Sequence, residues 1–154
     1  MFGRGEVISG RGEDGGTRLK AFSDDAYAWQ LFRSLRWTED ICCLYCGCGR
    51  IKHHSRRGGG VHYYRCKACG KNFTDATGTI FHRLRIPLSK VLHFTHLLSQ
   101  GTSVNKIRKN LSIAKSAAFR LSKKLRGSPW YSDLAKLVEK ELLAANATRA
   151  VRVR

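Results

Sequence analysis

Acidic side chains are nearly missing from the middle of this chain. Between Arg50 and Arg126, Asp75 is the single carboxylate against eighteen lysines and arginines. The protein has 154 residues and a formal charge of +18, and the residues outside that segment are close to balanced. A surface charged only for solubility would mix signs and avoid self-repulsion, so the shortage of carboxylates in one segment points to a polyanionic partner there. Long apolar runs are missing as well. None approaches the roughly 18 residues of a membrane-spanning helix, and residues 1–16 are Gly-rich and charged, without the apolar stretch of a secretory signal. The expectation is a soluble, cytoplasmic chain with no membrane partner. No internal repeat is visible, and the length allows one compact domain or two small modules but no large second domain.

The pattern along the chain predicts a small α+β fold in five parts. Residues 1–21 have no hydrophobic period, and with six glycines before position 21 they read as a disordered tail. In 22–41 a helix is expected, with Ser23 as its cap, Asp24 and Asp25 at the positive end of its dipole, and Tyr27, Leu31 and Leu35 at four-residue intervals up to about Trp37. Residues 42–82 place cysteine pairs at both ends, Gly58-Gly59-Gly60 between them, and the β-prone Val61, Tyr63, Tyr64 and Phe73 near the second pair, so short strands and turns are expected. In 83–127 Pro87 opens a helix in its first turn, its apolar positions run from Val91 to Leu98, and Gly101 stops it. Two short helices follow, Ser103 to about Leu111 and Lys115 to about Arg126, joined by Ser112-Ile113-Ala114. Residues 128–154 form an amphipathic helix, with Leu134, Leu137, Val138 and Leu142 at helical spacing, and a basic tip.

Six cysteines in a reducing compartment serve more often as metal ligands than as disulfides. Cys43-x-x-Cys46-Gly47 and Cys66-x-x-Cys69-Gly70 are matched units with nineteen residues between the inner cysteines. Two thiolates two residues apart on a tight turn can reach one ion at about 2.3 Å, and the trailing glycine lets the chain turn back so that N–H groups approach the sulfurs. Two such knuckles complete a tetrahedron, which predicts one structural Zn²⁺ in a zinc ribbon, held by Cys43, Cys46, Cys66 and Cys69. A site closed by four protein ligands has no water to activate. Cys42 and Cys48 also lie in the first knuckle, and His53, His54 and His62 lie nearby, so substitution of one ligand stays open. The ribbon buries too little apolar surface to fold without its metal.

In 103–126 the apolar Val104, Ile107, Leu111, Ile113, Ala118, Leu121 and Leu125 can be buried together by two helices that cross steeply, the arrangement of a helix-turn-helix. The second helix then presents basic and short polar side chains outward. Lys115, Ser116, Phe119 and Arg120 are the candidates for reading bases, and Lys123, Lys124 and Arg126 for phosphate contacts. Ser112 stands where such a turn usually holds glycine, so it must accept a positive φ or alter the turn. Trp37 and Trp130 are expected to fill cores rather than stack on bases.

Leu35-Arg36-Trp37, the first knuckle, Tyr64-Arg65-Cys66-Lys67-x-Cys69-x-Lys71-x-Phe73, Thr77-Gly78-Thr79-Ile80-Phe81-His82 and Ile86-Pro87-Leu88 occur in this order before the helical pair. Over residues 22–126 this combination resembles the N-terminal zinc-ribbon and helix-turn-helix region of bacterial DDE insertion-sequence transposases. The resemblance implies double-stranded DNA as partner, at the ends of a mobile element, and a nucleoid-associated location in a bacterial host. In that family a ribonuclease-H-like domain with an Asp-Asp-Glu triad follows. Here only 28 residues follow Arg126, with Asp133, Glu139 and Glu141 as their carboxylates. Three carboxylates on one helix cannot build a two-metal site, so no catalytic residue is assigned and no enzyme activity is expected. The expected function is zinc-dependent, sequence-preferring DNA binding, as a transposition accessory or a regulator. An RNA-binding or ribosome-associated zinc-ribbon protein is the first alternative, and a DNA-binding subunit whose catalytic domain is a separate chain is the second. The C-terminal helix could form a homodimer or pack on its own chain.

Overall fold

The computed structural model describes residues 20–56 and 59–151. Most of the expected tail, together with Gly58 and the last residues of the basic tip, lies outside them. Among the described residues the fold is a small α+β arrangement of six helices and one three-stranded antiparallel sheet.

The chain enters through α1 (Lys20–Ser23) and α2 (Asp25–Arg36). The cap of α2 is Asp24 and not Ser23: the Asp24 carboxylate accepts from the Tyr27 N–H at 3.2 Å, while Ser23 ends the preceding helical turn. Lys20 and Ala21, read as the end of the tail, belong to that turn. Ala21 is buried, and the Phe22 ring stacks on His93 with centroids 4.2 Å apart. Helix α2 buries Ala28, Trp29, Leu31 and Phe32; of the expected series only Leu31 is buried, while Tyr27 and Leu35 pack half-buried at the edge of the core.

The sheet follows. Strands β1 (Ile51–Arg56), β2 (His62–Cys66) and β3 (Asn72–Thr74) lie in the order β1-β2-β3, with a bulge between His53 and Ser55. On β2 Tyr64 and Cys66 are buried and Arg65 is exposed, the period-2 pattern of a sheet with one covered face. The covered face is small: Cys43, Tyr64, Cys66 and Phe73 are its buried members, with Trp37, Ile41, Cys48 and Ile51 against them.

Four helices complete the fold. Helix α3 (Leu88–Ser99) is capped at Pro87, one position earlier than a proline in the first turn. Proline offers no capping side chain, and the carboxylate of Asp25 takes that role by accepting from the Ser89 N–H at 2.9 Å. Helices α4 (Val104–Asn110) and α6 (Trp130–Val151) then pack on α3, which buries Leu88, Val91, Leu92, Phe94, Thr95 and Leu98, and α5 (Lys115–Arg126) packs on α4 and α6. Helix α6 continues to Val151, into the segment read as the basic tip. Leu134 and Val138 on α6 are fully buried, and Trp130 meets Phe32 edge-on with centroids 5.6 Å apart.

One side chain joins the sheet to the helices. Asp75 has no exposed surface and follows β3 directly. Its Oδ2 accepts from Arg33 Nε at 3.1 Å, Arg33 Nη2 at 3.0 Å and the His62 N–H at 2.9 Å. Its Oδ1 accepts from the Tyr64 hydroxyl at 2.9 Å and Trp37 Nε1 at 3.2 Å, and its backbone carbonyl accepts from Arg36. A buried carboxylate is tolerated when its lone pairs are filled, and here donors from α2, β2 and the α2 exit fill them. The close approach of sheet and helix also needs Gly60. Its φ is +88°, and a Cβ there would stand 2.6 Å from the Ala26 Cα.

Candidate functional site

The two knuckles have the same backbone construction. Gly47 N–H closes onto the Cys43 carbonyl at 2.9 Å, and Gly70 N–H onto the Cys66 carbonyl at 3.0 Å. Both glycines sit at positive φ, +70° and +71°, where a side chain would be strained. These turns aim four sulfurs at one point: Cys43 Sγ lies 3.6 Å from Cys69 Sγ, Cys46 Sγ lies 3.6 Å from Cys66 Sγ, and all four are within 4.8 Å of one another. The separations are too long for a disulfide, near 2.05 Å. They match the roughly 3.8 Å edge of a tetrahedron of sulfurs placed about 2.3 Å from an ion. The four cysteines can hold a metal ion, and among the described residues theirs is the group with that geometry. Cys42 is exposed, Cys48 receives the Arg50 N–H at 3.4 Å, and neither joins the four. His53 turns instead to His62 and Tyr64, with ring centroids at 4.7 and 5.5 Å.

Electrostatics in the cluster favour a cation. Burial opposes ionisation of Cys43, but the N–H groups of Tyr45 and Cys46 and the neighbouring thiols outweigh it and bring the thiol down to about 7. Cys66 is lowered mainly by the N–H of Cys69, against burial. At Cys46 the Cys48 N–H favours the thiolate, yet Cys66, burial and the other two thiols together push it up to about 12. Without a cation, each negative charge placed on the clustered thiols opposes the next.

The residues expected to contact nucleic acid all project from α5. Lys115, Ser116, Phe119, Arg120, Lys123, Lys124 and Arg126 are exposed, while Ala118, Leu121, Ser122 and Leu125 face the core. Phe119 is an apolar ring with 45% of its surface open to solvent. Arg120 Nε donates to the Ser116 carbonyl at 3.3 Å, which lays the guanidinium along the first turns. No side chain caps the α5 N-terminus at Ala114, so its first N–H groups point outward. The preceding turn takes the strained option: Ser112 has φ +52°, and the Ile113 N–H reaches back to the Arg108 carbonyl at 2.9 Å. Lys90 Nζ secures the same turn by donating to the Leu111 carbonyl at 3.1 Å.

Sequence reasoning missed Asp75 as an organising residue. Its signal was present, because a lone acid in a strongly basic stretch has many positive donors to satisfy.

The chain is similar to a transposable-element protein. It is 26% identical over 104 residues to an uncharacterized protein in transposable element ISH50 of Halobacterium salinarum. The match covers 66% of this chain and 35% of that protein, so the chain spans about a third of the length of the curated relative it matches. No protein-family model matches the chain, and no solved structure does. No helix among the described residues is long and apolar enough to cross a membrane.

Proposed function

We propose that this chain is a transposase-derived, sequence-preferring DNA-binding protein in which one structural Zn²⁺ builds a zinc ribbon and α4–α5 acts as a helix-turn-helix. The observation that carries the reading is the division of α5. One side is sunk in the core by Ala118, Leu121 and Leu125, and the other offers seven exposed candidates with no carboxylate among them. Such a helix suits the major groove: its uncapped N-terminus favours phosphate, Lys115, Ser116, Phe119 and Arg120 face base edges, and Lys123, Lys124 and Arg126 lie along the backbone. Similarity to a transposable-element protein gives the same direction.

Zinc is the metal of this reading because four thiolates in a tetrahedron suit it and leave no position open for water or substrate. The proposal gives these 154 residues a binding role and no catalytic one. Asp133, Glu139 and Glu141 follow one another along α6 at spacings that turn them to different sides, and Glu141 is engaged by the Tyr27 hydroxyl at 2.9 Å. DNA cutting, in this view, belongs to another polypeptide or another process.

Selection of randomised duplex DNA on the zinc-loaded protein tests the reading. Enrichment of a defined motif is expected, lost in a Cys43→Ser/Cys66→Ser variant and altered at specific positions by Arg120→Ala. Binding without enrichment, unaffected by loss of zinc, would overturn it.

A further inference from the structure

The side of the sheet turned away from the cysteines has a charge arrangement that folding alone does not favour. Residues directly opposite in neighbouring antiparallel strands point to the same side. Tyr64 and Cys66 are covered, so their neighbours on β2 face outward. On that outer side Lys52 of β1 stands opposite Arg65 of β2, and Arg65 stands opposite Asn72 of β3. The hydrogen bond from the Lys67 N–H to the Arg50 carbonyl, at 2.9 Å, continues the β1–β2 register one pair beyond the strands, so Arg50 and Lys67 form a second cationic pair on that side. All five residues are exposed. Among the described residues the ion pair is Arg33–Asp75, and none of these four cations has an acidic partner.

Like charges directly opposite on a sheet destabilise it. Two such pairs in succession, on a sheet with a small buried cluster behind it, form a concentrated positive surface with no compensating acid among the described residues. We propose that this outer face, formed by Arg50, Lys52, Arg65, Lys67 and Asn72, is a second contact surface for the phosphate backbone of duplex DNA. It grips the duplex beside the segment read by α5. The proposal rests on the DNA-binding reading above and adds a surface which that reading does not use. Charge complementarity identifies the partner: four cations without acids match consecutive phosphates, and the amide of Asn72 adds a neutral donor to the same row. Duplex DNA is favoured over single strands because Tyr63, the aromatic residue of β2 on this side, is half-buried and offers no fully open ring on which bases could stack. The knuckle ring of Tyr45 is exposed but is covered by Lys71 Nζ, 4.8 Å from its centroid.

The test compares the zinc-loaded wild-type protein, Lys52→Gln/Arg65→Gln, the charge-preserving Arg65→Lys, and Lys136→Gln/Lys140→Gln on α6, which removes the same charge elsewhere. Affinity for a selected duplex is measured over a range of salt, with zinc content and melting temperature as checks on folding. The sheet-face double variant should lose roughly tenfold in affinity at moderate salt, and the slope of log affinity against log salt should fall by about 2. Its motif preference should stay unchanged. Arg65→Lys and the α6 variant should retain the wild-type slope. Zinc content should hold, and the melting temperature should hold or rise as repulsion is relieved. An unchanged slope in the sheet-face variant, with wild-type binding still dependent on Arg120, would overturn this inference alone. Failure of the wild-type protein to bind duplex DNA would overturn both readings, and tighter binding to an RNA hairpin, lost in the same variants, would transfer the surface to RNA.

Discussion

The helical body and the sheet of this protein are held together by different physics. Around α3, a continuous set of buried aliphatic and aromatic side chains runs from Ala21 to Val138. Among the described residues, the cluster behind the sheet is Cys43, Tyr64, Cys66 and Phe73. Burial at about 25 cal/mol per Å² can hold the first, whereas the second lies below the size at which apolar area offsets chain entropy. Two devices can make up the difference. One is the four-cysteine cluster with a metal ion in it, and the other is the carboxylate of Asp75 where the sheet meets α2. A basic chain can thus carry a marginal module if a metal fixes one end and a buried charge fixes the other.

The strongest way to separate the two regions is to remove the metal. Chelation, or Cys66→Ser, should abolish amide-exchange protection in the sheet and knuckles while α3 and α6 keep theirs. Structural zinc in small modules contributes roughly 10 kcal/mol or more of apparent binding energy. Equal loss of protection in the helices would contradict the division. Acid should act in the same direction. With Cys43 near 7 and Cys46 near 12, the metal-free cluster holds protons at neutral pH that the metal must displace. The bound state therefore carries fewer protons, and affinity should rise with pH and fall by at least about tenfold per unit below pH 7, measured by competition with a chromogenic chelator.

Next in size is the joint. Asp75→Ala leaves the Arg33 guanidinium, the Tyr64 hydroxyl and Trp37 Nε1 without their acceptor, and should cost about 3–5 kcal/mol in denaturant unfolding. The loss should be shared by both regions, since the residue belongs to each. A loss confined to the sheet would show that the joint is only local. The smallest effect is expected within the helical body. Ser112→Gly relieves a residue at φ +52° and should stabilise the α4–α5 turn by about 1 kcal/mol, without altering metal content. A destabilised variant would show that the Ser112 backbone is not under strain.

What was legible in the sequence followed the same division. The bounds of α5, Lys115–Arg126, were readable because an amphipathic period, a basic exposed side and Gly127 at its end all act within a few residues. The four cysteines were readable because both knuckles repeat one local turn. Features set by distant contacts were not. Helix α1 is a single turn whose Phe22 is held by His93 some seventy positions away, and no period can announce that. Ser23 and Asp24 are both capping residue types, and the packing of α1 decides which one serves. The cap of α3 is borrowed from Asp25, far from Pro87 in the chain. The donors to Asp75 come from three parts of the fold, so the carboxylate was visible as an exception in composition while its role was not.

The bond between Arg33 and Asp75 also fixes a length. It fastens the sheet to α2, and α2 shares its buried core with α5, so the outer face of the sheet and the exposed side of α5 are linked through packed elements. If both grip one duplex, the molecule works as a ruler. It would tolerate changes in base sequence between its two points of contact far better than the insertion of half a helical turn, which would carry one set of phosphates to the opposite side of the DNA.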